Sequence, residues 1–238
     1  MKKVIITGAT SGIGYALAKE FHSRGYIVGI TGRREKRLLQ LAEELGHERV
    51  FIQTLDVTAR DVHEKLDSLA DAMDGVDIFV ANAGVGYVTR TLDLAKDRHI
   101  IDVNVTGFVA TVCWAAQKFT EQKHGHIVGI SSVASTFYSG VTAAYNASKA
   151  FVCSYLMGIR LMFKTQKLPV FVTEVRPGFV ESEMVEGQKG MFWVAKTSVA
   201  AYQMVEAVER KKKVVYITSR WRIVAWLGTM AGWFNKGL

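Results

Sequence analysis

Seven short runs of mostly apolar, often β-branched residues recur along the chain, separated by longer segments in which apolar and polar positions mix. Runs with so little polar interruption are typical of strands buried on both faces. The segments between them are long enough for helical crossovers, which parallel strands require. The runs predict strands at 4–7, 26–31, 50–57, 76–84, 125–132, 170–178 and 214–218. The intervening segments predict helices at 12–24, 35–45, 59–73, 97–122, 143–166 and 197–210. We therefore expect an α/β fold with a doubly wound, seven-stranded parallel sheet flanked by helices.

No feature of the sequence divides the chain into two large domains. Its 238 residues suit one α/β core, and only two prolines and no Ser-, Gly- or Pro-rich linker interrupt the alternation. The sequence predicts one domain over 1–218, followed by an apolar and basic tail over 219–238.

The composition favours a soluble protein of the cytoplasm. Hydrophobic residues make up 49% of the chain and charged residues 22%, as in an ordinary globular domain. The first apolar run breaks at Gly8, which is too early for a signal peptide. Cys113 and Cys153 lie in predicted helices without a CxxC neighbour, so we expect reduced thiols in the core. No metal site is predicted.

The net charge of +8 raises nucleic acid as a partner. The basic residues cluster only at 33–37 and 210–213, however, and no basic platform interleaved with aromatic residues occurs outside the tail. We therefore expect no nucleic-acid binding. A chain that holds a phosphorylated cofactor or lies on an anionic membrane has the same charge balance.

A glycine-rich segment, TGATSGIG at Thr7–Gly14, connects the first predicted strand to the first predicted helix. Glycines in this position let backbone N–H groups at the helix N-terminus approach a pyrophosphate closely, although a plain strand-to-helix turn also uses glycine. The candidate cofactor contacts in this loop are Gly8, Thr10, Ser11, Gly12, Ile13 and Gly14.

Tyr145 and Lys149 form a YxxxK pattern, which places a phenol and an ammonium on one face of a helix. The pattern is weak evidence by itself, because Tyr15 and Lys19 repeat it. Tyr145 differs in following Ser132, which ends the fifth predicted strand, by 13 residues. We therefore expect Tyr145 to be catalytic and Tyr15 to have a surface or packing role.

A phenol with an ordinary pKa near 10 is a poor base at neutral pH. A nearby cation favours the phenolate, so we expect Lys149, together with an oxidised nicotinamide, to lower the pKa of Tyr145. The Ser132 hydroxyl is expected to hold a substrate oxygen. The set suits hydride transfer between a nicotinamide and a carbonyl, with Tyr145 as proton donor and acceptor.

In order and spacing these motifs resemble the short-chain dehydrogenase/reductase family, from Lys3 to about Thr218. The resemblance implies a Rossmann-type fold, an oxidoreductase acting on a small carbonyl or alcohol substrate, and a homo-oligomer, either dimer or tetramer. It implies that Asn104 is a fourth catalytic residue, holding a water that links Lys149 to solvent; a purely structural asparagine is the alternative. Tyr145 and Lys149 would also contact the cofactor. The remaining contacts that it implies lie at strand ends: Asp56, Val57, Asn82, Ala83, Gly84, Pro177, Gly178, Val180 and Ser182. For Asn82 a sheet-stabilising turn is an equal alternative.

The second predicted strand ends in TGRREKR, with no acidic residue directly at its end. An acid there would bond the ribose 2′-hydroxyl of NAD and repel a 2′-phosphate, whereas arginine offers a planar fork of donors that suits phosphate. We therefore expect NADP(H), with Arg33 as the principal contact and Ser11 and Arg34 as helpers. A solvated helix start is the alternative.

Two segments near the C-terminus offer apolar surface. Residues 183–196 occupy the place of the family's substrate loop, where Met184, Met191, Phe192 and Trp193 offer an apolar wall and Gly187 and Gly190 offer mobility. They predict an apolar substrate, unless they simply close the core. The tail carries apolar residues that need cover: Trp221, Ile223, Val224, Trp226, Leu227, Met230, Trp233 and Phe234. With Arg220, Arg222 and Lys236 beside them, these residues suit a helix in a membrane interface; a subunit contact or an active-site flap is the alternative.

Two classes of function stay open at this point. The first is an NADP(H)-dependent oxidoreductase in the cytoplasm, peripheral to a membrane if the tail binds lipid. The second is a non-catalytic NADP-binding sensor or scaffold that engages a membrane or a partner through the tail. The complete set of Ser132, Tyr145 and Lys149 favours the enzyme.

Overall fold

One seven-stranded sheet forms the centre of the protein, with strand order β3-β2-β1-β4-β5-β6-β7. The computed structural model describes residues 1–183 and 191–234, the last seven of them as helix backbone only. The strands are β1 (Lys3–Ile6), β2 (Ile27–Gly32), β3 (Val50–Thr54), β4 (Ile78–Ala81), β5 (Gly125–Ile130), β6 (Val170–Pro177) and β7 (Val214–Ile217). Every neighbouring pair is parallel. The order reverses between β1 and β4, and a crevice at such a switch point is where ligands bind in open parallel sheets.

Helices connect the strands and form the crossovers that a parallel sheet requires. They are α1 (Gly12–Ser23), α2 (Glu35–Leu45), α3 (Val62–Ala72), α4 (Leu94–Ile101), α5 (Phe108–Glu121), α6 (Ala143–Thr165), α7 (Thr197–Glu209) and α8 (Trp221–Phe234). A π-helical turn, Asp102–Gly107, joins α4 to α5, and a 3₁₀ turn, Val133–Thr136, follows β5. π-helical turns inside helices are frequent at functional sites.

The sheet is buried on both faces, which explains the continuous apolar character of its strands. Along β1, Val4 and Ile6 belong to one core cluster, with Phe21 of α1, while Ile5 belongs to the other, with Leu66 of α3. Neighbouring residues of a strand point to opposite faces, so both faces need apolar residues. This two-sided core fixes the carboxyl edge of the sheet, where the candidate site lies.

The predicted fold class is confirmed, with local differences. The helix predicted at 97–122 begins earlier, at Leu94, and is interrupted by the π-helical turn. The strands expected to reach residues 57, 84 and 132 end at Thr54, Ala81 and Ile130, because the polar residues that follow bond to neighbouring loops and side chains instead of a strand.

The helical stretch Leu94–Glu121 is also long and apolar enough to cross a membrane by length and composition alone. More than half of its apolar window is buried inside the protein, and core helices of globular proteins pass the same test. We therefore interpret it as a core helix.

Candidate active site

The glycine loop after β1 has the conformation that its sequence predicts. Gly8 and Gly12 have φ values of 69° and 55°, which side chains other than hydrogen tolerate poorly. A Cβ on Gly14 would lie 2.3 Å from the Gly8 carbonyl oxygen. Helix α1 begins at Gly12, and Ser11 makes no side-chain cap to it. The N–H groups of the first turn therefore keep the geometry that binds an anion.

The end of β4 is tied to this loop through Asn82. Its amide donates to the carbonyls of Thr7, at 2.9 Å, and Gly8, at 3.2 Å. The Thr7 hydroxyl accepts from the backbone N–H of Ala83 at 3.1 Å. Asn82 thus holds the two strand ends that flank the switch point, which is the structural role that its sequence position allowed.

Ser132 and Tyr145 meet at the end of β5. Ser132 follows the strand, and its hydroxyl accepts from the N–H of Ala134 at 3.1 Å, which fixes the side chain at the start of the 3₁₀ turn. Tyr145, on the first turn of α6, shares a hydrogen bond with Ser132. The two groups that the sequence assigned to one reaction centre are therefore in contact.

Lys149 lies one turn further along α6 and is buried. Its ammonium donates to the carbonyl of Ile130 at 3.0 Å and lies 5.7 Å from the centroid of the Tyr145 ring. Burial lowers the pKa of Lys149 to about 8, because an ammonium loses solvation in the interior.

Burial governs the pKa of Tyr145. It raises the pKa above 10, and the hydrogen bond with Ser132 opposes this only in part. Lys149 is not among the groups that shift this pKa, since its ammonium is bonded to Ile130. The lowering expected from Lys149 together with an oxidised nicotinamide stays a prediction. In this structure Tyr145 is a protonated donor at neutral pH.

Asn104 lies in the π-helical turn and bridges two elements. Its side-chain oxygen accepts from the N–H of Val85 and its amide donates to the Val85 carbonyl, both at 2.8 Å. The same amide donates to the Ser148 hydroxyl at 3.1 Å. Asn104 thus positions the segment after β4 against α6, as expected of a structural asparagine. Its catalytic role in holding a water that links Lys149 to solvent stays a prediction.

Because Gly84 has no side chain, the polar ends of Asn104 and Lys149 can both lie close to its backbone. A Cβ at Gly84 would lie 3.3 Å from Asn104 Oδ1 and 3.4 Å from Lys149 Nζ. A larger residue here would press on both polar groups, so the glycine permits the close arrangement.

Asp56 and Val57 follow β3, as expected. Asp56 accepts from the N–H and the hydroxyl of Thr58, at 2.9 and 2.8 Å. Burial opposes ionisation, but these bonds hold the pKa of Asp56 below its usual value. Val57 packs against Gly107, whose Cβ would lie 2.6 Å from it. Both residues lie at the carboxyl end of β3, and their contact with the adenosine of a cofactor stays a prediction.

Arg33 and Arg34 differ in what they contact after β2. Arg33 is exposed, and its guanidinium is 4.0 Å from the Asp56 carboxylate. Arg34 reaches back to the glycine loop and donates to the hydroxyls of Thr10, at 2.9 Å, and Ser11, at 2.7 Å. Of the predicted phosphate contacts, Arg34 and Ser11 are therefore already together, and Arg33 lies to one side.

Glu183, in the segment after β6, contacts the arginines that follow β2. Its carboxylate accepts from Arg34 at 2.9 Å and from Arg37 at 2.7 Å. The bond from Arg34 is the main reason that the pKa of Glu183 is lowered. A groove of about 330 Å³ adjoins the cluster, lined by Thr10, Ser11, Gly12, Tyr15, Arg37, Gln40, Glu44 and Glu183. Sequence reasoning left Glu183 uninterpreted and missed Arg37.

The segment after β6 crosses in front of the glycine loop. Pro177 ends the strand, and Ser182 packs on Gly12, whose Cβ would lie 3.1 Å from Ser182 Cβ. Val180 is buried and bridges to Ala195, and the bridge uses the amides of Glu181 and Ala195. The Val180 amide is not one of these donors, and its contact with the cofactor stays a prediction.

Trp221, at the start of α8, closes this side of the site. Its indole is buried against Gly178 and packs with Phe179, Phe192 and Trp193, with ring centroids 5.3 to 5.8 Å from its own. Its Nε1 has no hydrogen-bond partner among the described residues. The start of α8 thus packs on the domain through Trp221. The sequence indicated only that the tryptophans of the tail needed cover.

Some predicted residues lie elsewhere or outside the described residues. Tyr15 bonds to Glu44, which also pairs with Lys19 at 3.2 Å, so this second YxxxK pair holds α1 to α2. Cys113 and Cys153 are only partly buried. Met184, Gly187, Gly190 and Lys236 lie outside the described residues, as do the side chains of Met230, Trp233 and Phe234. Within 1–183 and 191–227 no three His, Cys, Asp or Glu side chains gather as a metal site would require.

Taken together, the site has a hydroxyl pair, a buried ammonium and an uncapped helix N-terminus at one sheet edge. The loop and α1 fit a pyrophosphate, and Tyr145 with Ser132 fits a carbonyl or hydroxyl oxygen. The residues present therefore fit a dinucleotide cofactor.

Known proteins resemble this chain in sequence. The family model for short chain dehydrogenase matches residues 2–193. An uncharacterized oxidoreductase of Myxococcus xanthus is 39% identical over 188 residues, covering 77% of this chain and 74% of that protein. The 11-beta-hydroxysteroid dehydrogenase 1A of Arabidopsis thaliana is 32% identical over 254 residues, covering 94% and 72%.

Solved structures agree. A serine dehydrogenase in its closed form, complexed with NADP+, superposes with a TM-score of 0.75 at 28% identity, covering 86% of this chain and 88% of that one. Other chains of the same fold include one in complex with NAD. On the family match and these relatives, the chain belongs to the short-chain dehydrogenase family of oxidoreductases.

Proposed function

We propose that this protein is an NADP(H)-dependent oxidoreductase that interconverts a carbonyl and an alcohol on an apolar substrate. The observation that carries the proposal is the contact between Ser132 and Tyr145, with the buried ammonium of Lys149 one helical turn away. A non-catalytic binding protein would have no use for a buried charge beneath a paired phenol and hydroxyl, since burying a lysine costs stability.

The side chains divide the proton chemistry between them. Ser132 donates to the substrate oxygen and orients it toward the Tyr145 phenol. In reduction, Tyr145 gives its proton to the alkoxide oxygen, and Lys149 stabilises the phenolate that remains. A nicotinamide cofactor, when bound, would supply the hydride in this direction and accept it in the other. The raised pKa of Tyr145 keeps the phenol protonated at neutral pH, which suits reduction.

The preference for NADP(H) rests on the charges after β2. Arg34 is bonded to Thr10 and Ser11 of the glycine loop. Arg37 shares the Glu183 carboxylate with Arg34, and Arg33 lies to one side near Asp56, so the segment after β2 offers guanidinium groups to a 2′-phosphate. Relatives bind either cofactor, so the choice depends on these arginines. A 2′-phosphate bonds the planar fork of arginine well, and no carboxylate follows the strand directly.

The preference for an apolar substrate rests on the aromatic wall. Phe179, Phe192, Trp193 and Trp221 pack edge to face in a cluster that reaches Gly178 through Trp221. Such a wall binds hydrocarbon or ring surface and offers few partners to a charged substrate.

The outer face of α6 supports a homo-oligomer. Phe151, Met157 and Leu161 are exposed there, and Arg160 contacts the Met157 sulfur at 3.5 Å. Ala147 and Ala150 are exposed nearer to Tyr145. An apolar helix face beside a catalytic residue suits a two-fold contact between copies. Light scattering after size exclusion tests this: Leu161→Asp should shift the wild-type oligomer to monomer.

The decisive test follows NADPH consumption over carbonyl compounds graded by chain length and ring content, with NADH run in parallel. Wild type should prefer NADPH and lose at least 10³-fold in kcat/KM in Tyr145→Phe. Tyr15→Phe, in the second YxxxK pair, is the matched control and should retain full activity. Turnover that survives in Tyr145→Phe would refute the mechanism, and equal rates with NADH would refute the cofactor assignment.

A further inference from the structure

The described part of α8 has one side buried against the domain and one side exposed to solvent. Trp221 and Ala225 are buried against the domain. Ile223, Trp226 and Leu227 point outward and retain 61%, 62% and 53% of their surface. Three large apolar side chains on consecutive turns of one helix face are costly to leave in water.

This exposed side continues onto the loop that precedes α7. Phe192 and Trp193 are 51% and 43% exposed, and both pack on Trp221. We call Phe192, Trp193, Ile223, Trp226 and Leu227 the aromatic face. Single exposed apolar residues need no explanation, but a group that includes two tryptophans marks an interaction surface.

Two arginines at the start of α8 lie beside the aromatic face, within the most basic segment of the chain. Residues 210–238 contain seven lysines and arginines and no aspartate or glutamate, whereas the net charge of the whole chain is +8. Residues 1–209 are therefore close to neutral. Arg220 lies over the Trp193 ring, 5.1 Å from its centroid, and donates to the Trp193 carbonyl at 3.3 Å. Arg222 is exposed as well. Lys211–Lys213 are also exposed but precede β7, at the other end of that strand, where Lys211 lies over the Phe171 ring.

We infer that the aromatic face binds the surface of an anionic lipid bilayer. Tryptophan and phenylalanine partition to the boundary between headgroups and acyl chains, aliphatic residues enter the acyl side, and arginines beside them meet anionic headgroups. The helix lies on the surface and does not span it.

The charges disfavour the other occupants of this face. A second copy placed across a two-fold axis would set Arg220 and Arg222 of one copy near the same arginines of the other, and like charges repel. A nucleic acid would satisfy the charges but would leave Ile223 and Leu227 without partners, since bases stack on rings and not on aliphatic chains. A bilayer satisfies both the charges and the apolar groups.

The aromatic face lies close to the candidate active site. Trp221 joins the aromatic face to Gly178 at the candidate active site. A bilayer at this face would therefore lie beside the mouth of the site, where a lipid-dissolved molecule enters directly.

Co-sedimentation of the full-length protein with vesicles tests the inference. Vesicles of phosphatidylcholine with about 30% phosphatidylserine should bind the protein, and pure phosphatidylcholine vesicles should bind at least tenfold less. Trp226→Glu should lose at least tenfold in vesicle affinity. Leu39→Glu, which introduces the same charge at a side chain 50% exposed on α2, is the matched control and should bind as wild type does. Circular dichroism of both variants checks that they fold.

A second arm separates the electrostatic and apolar contributions. Arg220→Gln with Arg222→Gln should weaken binding, and so should about 0.5 M salt, where charges are screened over a few ångströms. Tryptophan emission should shift to the blue with vesicles and be quenched by lipids brominated near the headgroup.

The following results would overturn the inference. One is no binding to anionic vesicles at low salt. Another is a wild-type oligomer that Trp226→Glu dissociates, without vesicle binding, which would assign the face to a second copy. A third is tight binding to single-stranded DNA or RNA with no binding to vesicles. Failure of NADPH turnover leaves the inference intact, because none of these measurements uses catalysis.

Discussion

The indole of Trp221 occupies the space that a side chain at Gly178 would need. A Cβ added to Gly178 would lie 2.0 Å from Trp221 Nε1 and Cε2. The packing of Trp221 at the start of α8 therefore requires a glycine after Pro177. A ligand bound at this strand end would require the same open space.

Gly178→Ala should expel Trp221 and release the start of α8. Overpacking of this kind lowers the free energy of unfolding by about 1–3 kcal/mol. Tryptophan emission should shift to the red, acrylamide quenching should rise, and the denaturation midpoint should fall. Gly158→Ala on α6 is the control, because its Cβ would meet nothing within 4 Å, and it should leave all three unchanged or slightly improve stability. Indistinguishable spectra for the two variants would contradict the packing described for Trp221.

Glu183→Gln should strengthen binding of a 2′-phosphate. Glu183 bonds both Arg34 and Arg37, so its carboxylate competes with any anion for these guanidinium groups. The neutral amide removes the competition and the repulsion, and the Kd for 2′,5′-ADP should fall several-fold by calorimetry. The Kd for 5′-AMP, which lacks the 2′-phosphate, should not change.

Glu181→Gln provides the control for that measurement, since Glu181 is exposed in the same segment and forms a backbone bond to Ala195. An equal effect of the two substitutions would point to general charge and against the specific bridge from Glu183 to the arginines.

The pH dependence of kcat/KM should report Lys149. Its pKa is lowered to about 8, so the ammonium is present below that pH and is lost as the pH rises through it. Since kcat/KM reports groups of the free enzyme, carbonyl reduction should decline above about pH 8. Lys149→Met should lose orders of magnitude in activity together with this limb.

Lys19→Met, in the second YxxxK pair, should keep both the rate and the decline. A wild-type profile that stays flat to pH 10 would mean that the Lys149 charge does not support catalysis in the way described.

His126 should make the fold sensitive to mild acid. It is buried on β5 and bonded to Thr173 at 2.7 Å, and burial, assisted by Lys211 and Lys2, lowers its pKa to about 4. The unfolded chain takes up a proton near pH 6.5 but the folded protein does not, so stability falls as the pH drops from 6.5 to 4. The loss approaches about 3 kcal/mol by linkage.

Urea unfolding at a series of pH values measures this effect. His126→Gln should flatten the dependence between pH 6.5 and 4, whereas His124→Gln, at an exposed position two residues earlier, should retain it. Carboxylates add their own acid sensitivity, which is common to all three proteins and cancels in the difference. Parallel curves for His126→Gln and wild type would exclude His126 as the cause.

Much of the fold followed from the sequence because the relevant signals are local. A strand buried on both faces is apolar at nearly every position, so Val4–Ile6 of β1, Ile78–Ala81 of β4 and Ile127–Ile130 of β5 stand out without any partner being known. The loop Thr7–Gly14 likewise shows its conformation through glycines that alone tolerate it. The candidate triad of Ser132, Tyr145 and Lys149 was found because two of its members share one helix and the third ends the strand before it.

Relationships between distant residues were decided only by tertiary structure. Glu183 meets Arg34 across 149 positions, and Trp221 meets Gly178 at the end of another strand; neither pair leaves a periodic or spacing signal. The direction of the Tyr145 pKa shift depends on burial and on where the Lys149 ammonium is bonded, which no pattern along the chain encodes. The sequence by itself determined the elements, the sheet and the chemistry-bearing residues, because backbone propensity and burial act locally. Which side chains touch, and with what charge, was decided by the packing of the whole chain, because desolvation and ion pairing depend on everything that surrounds a group.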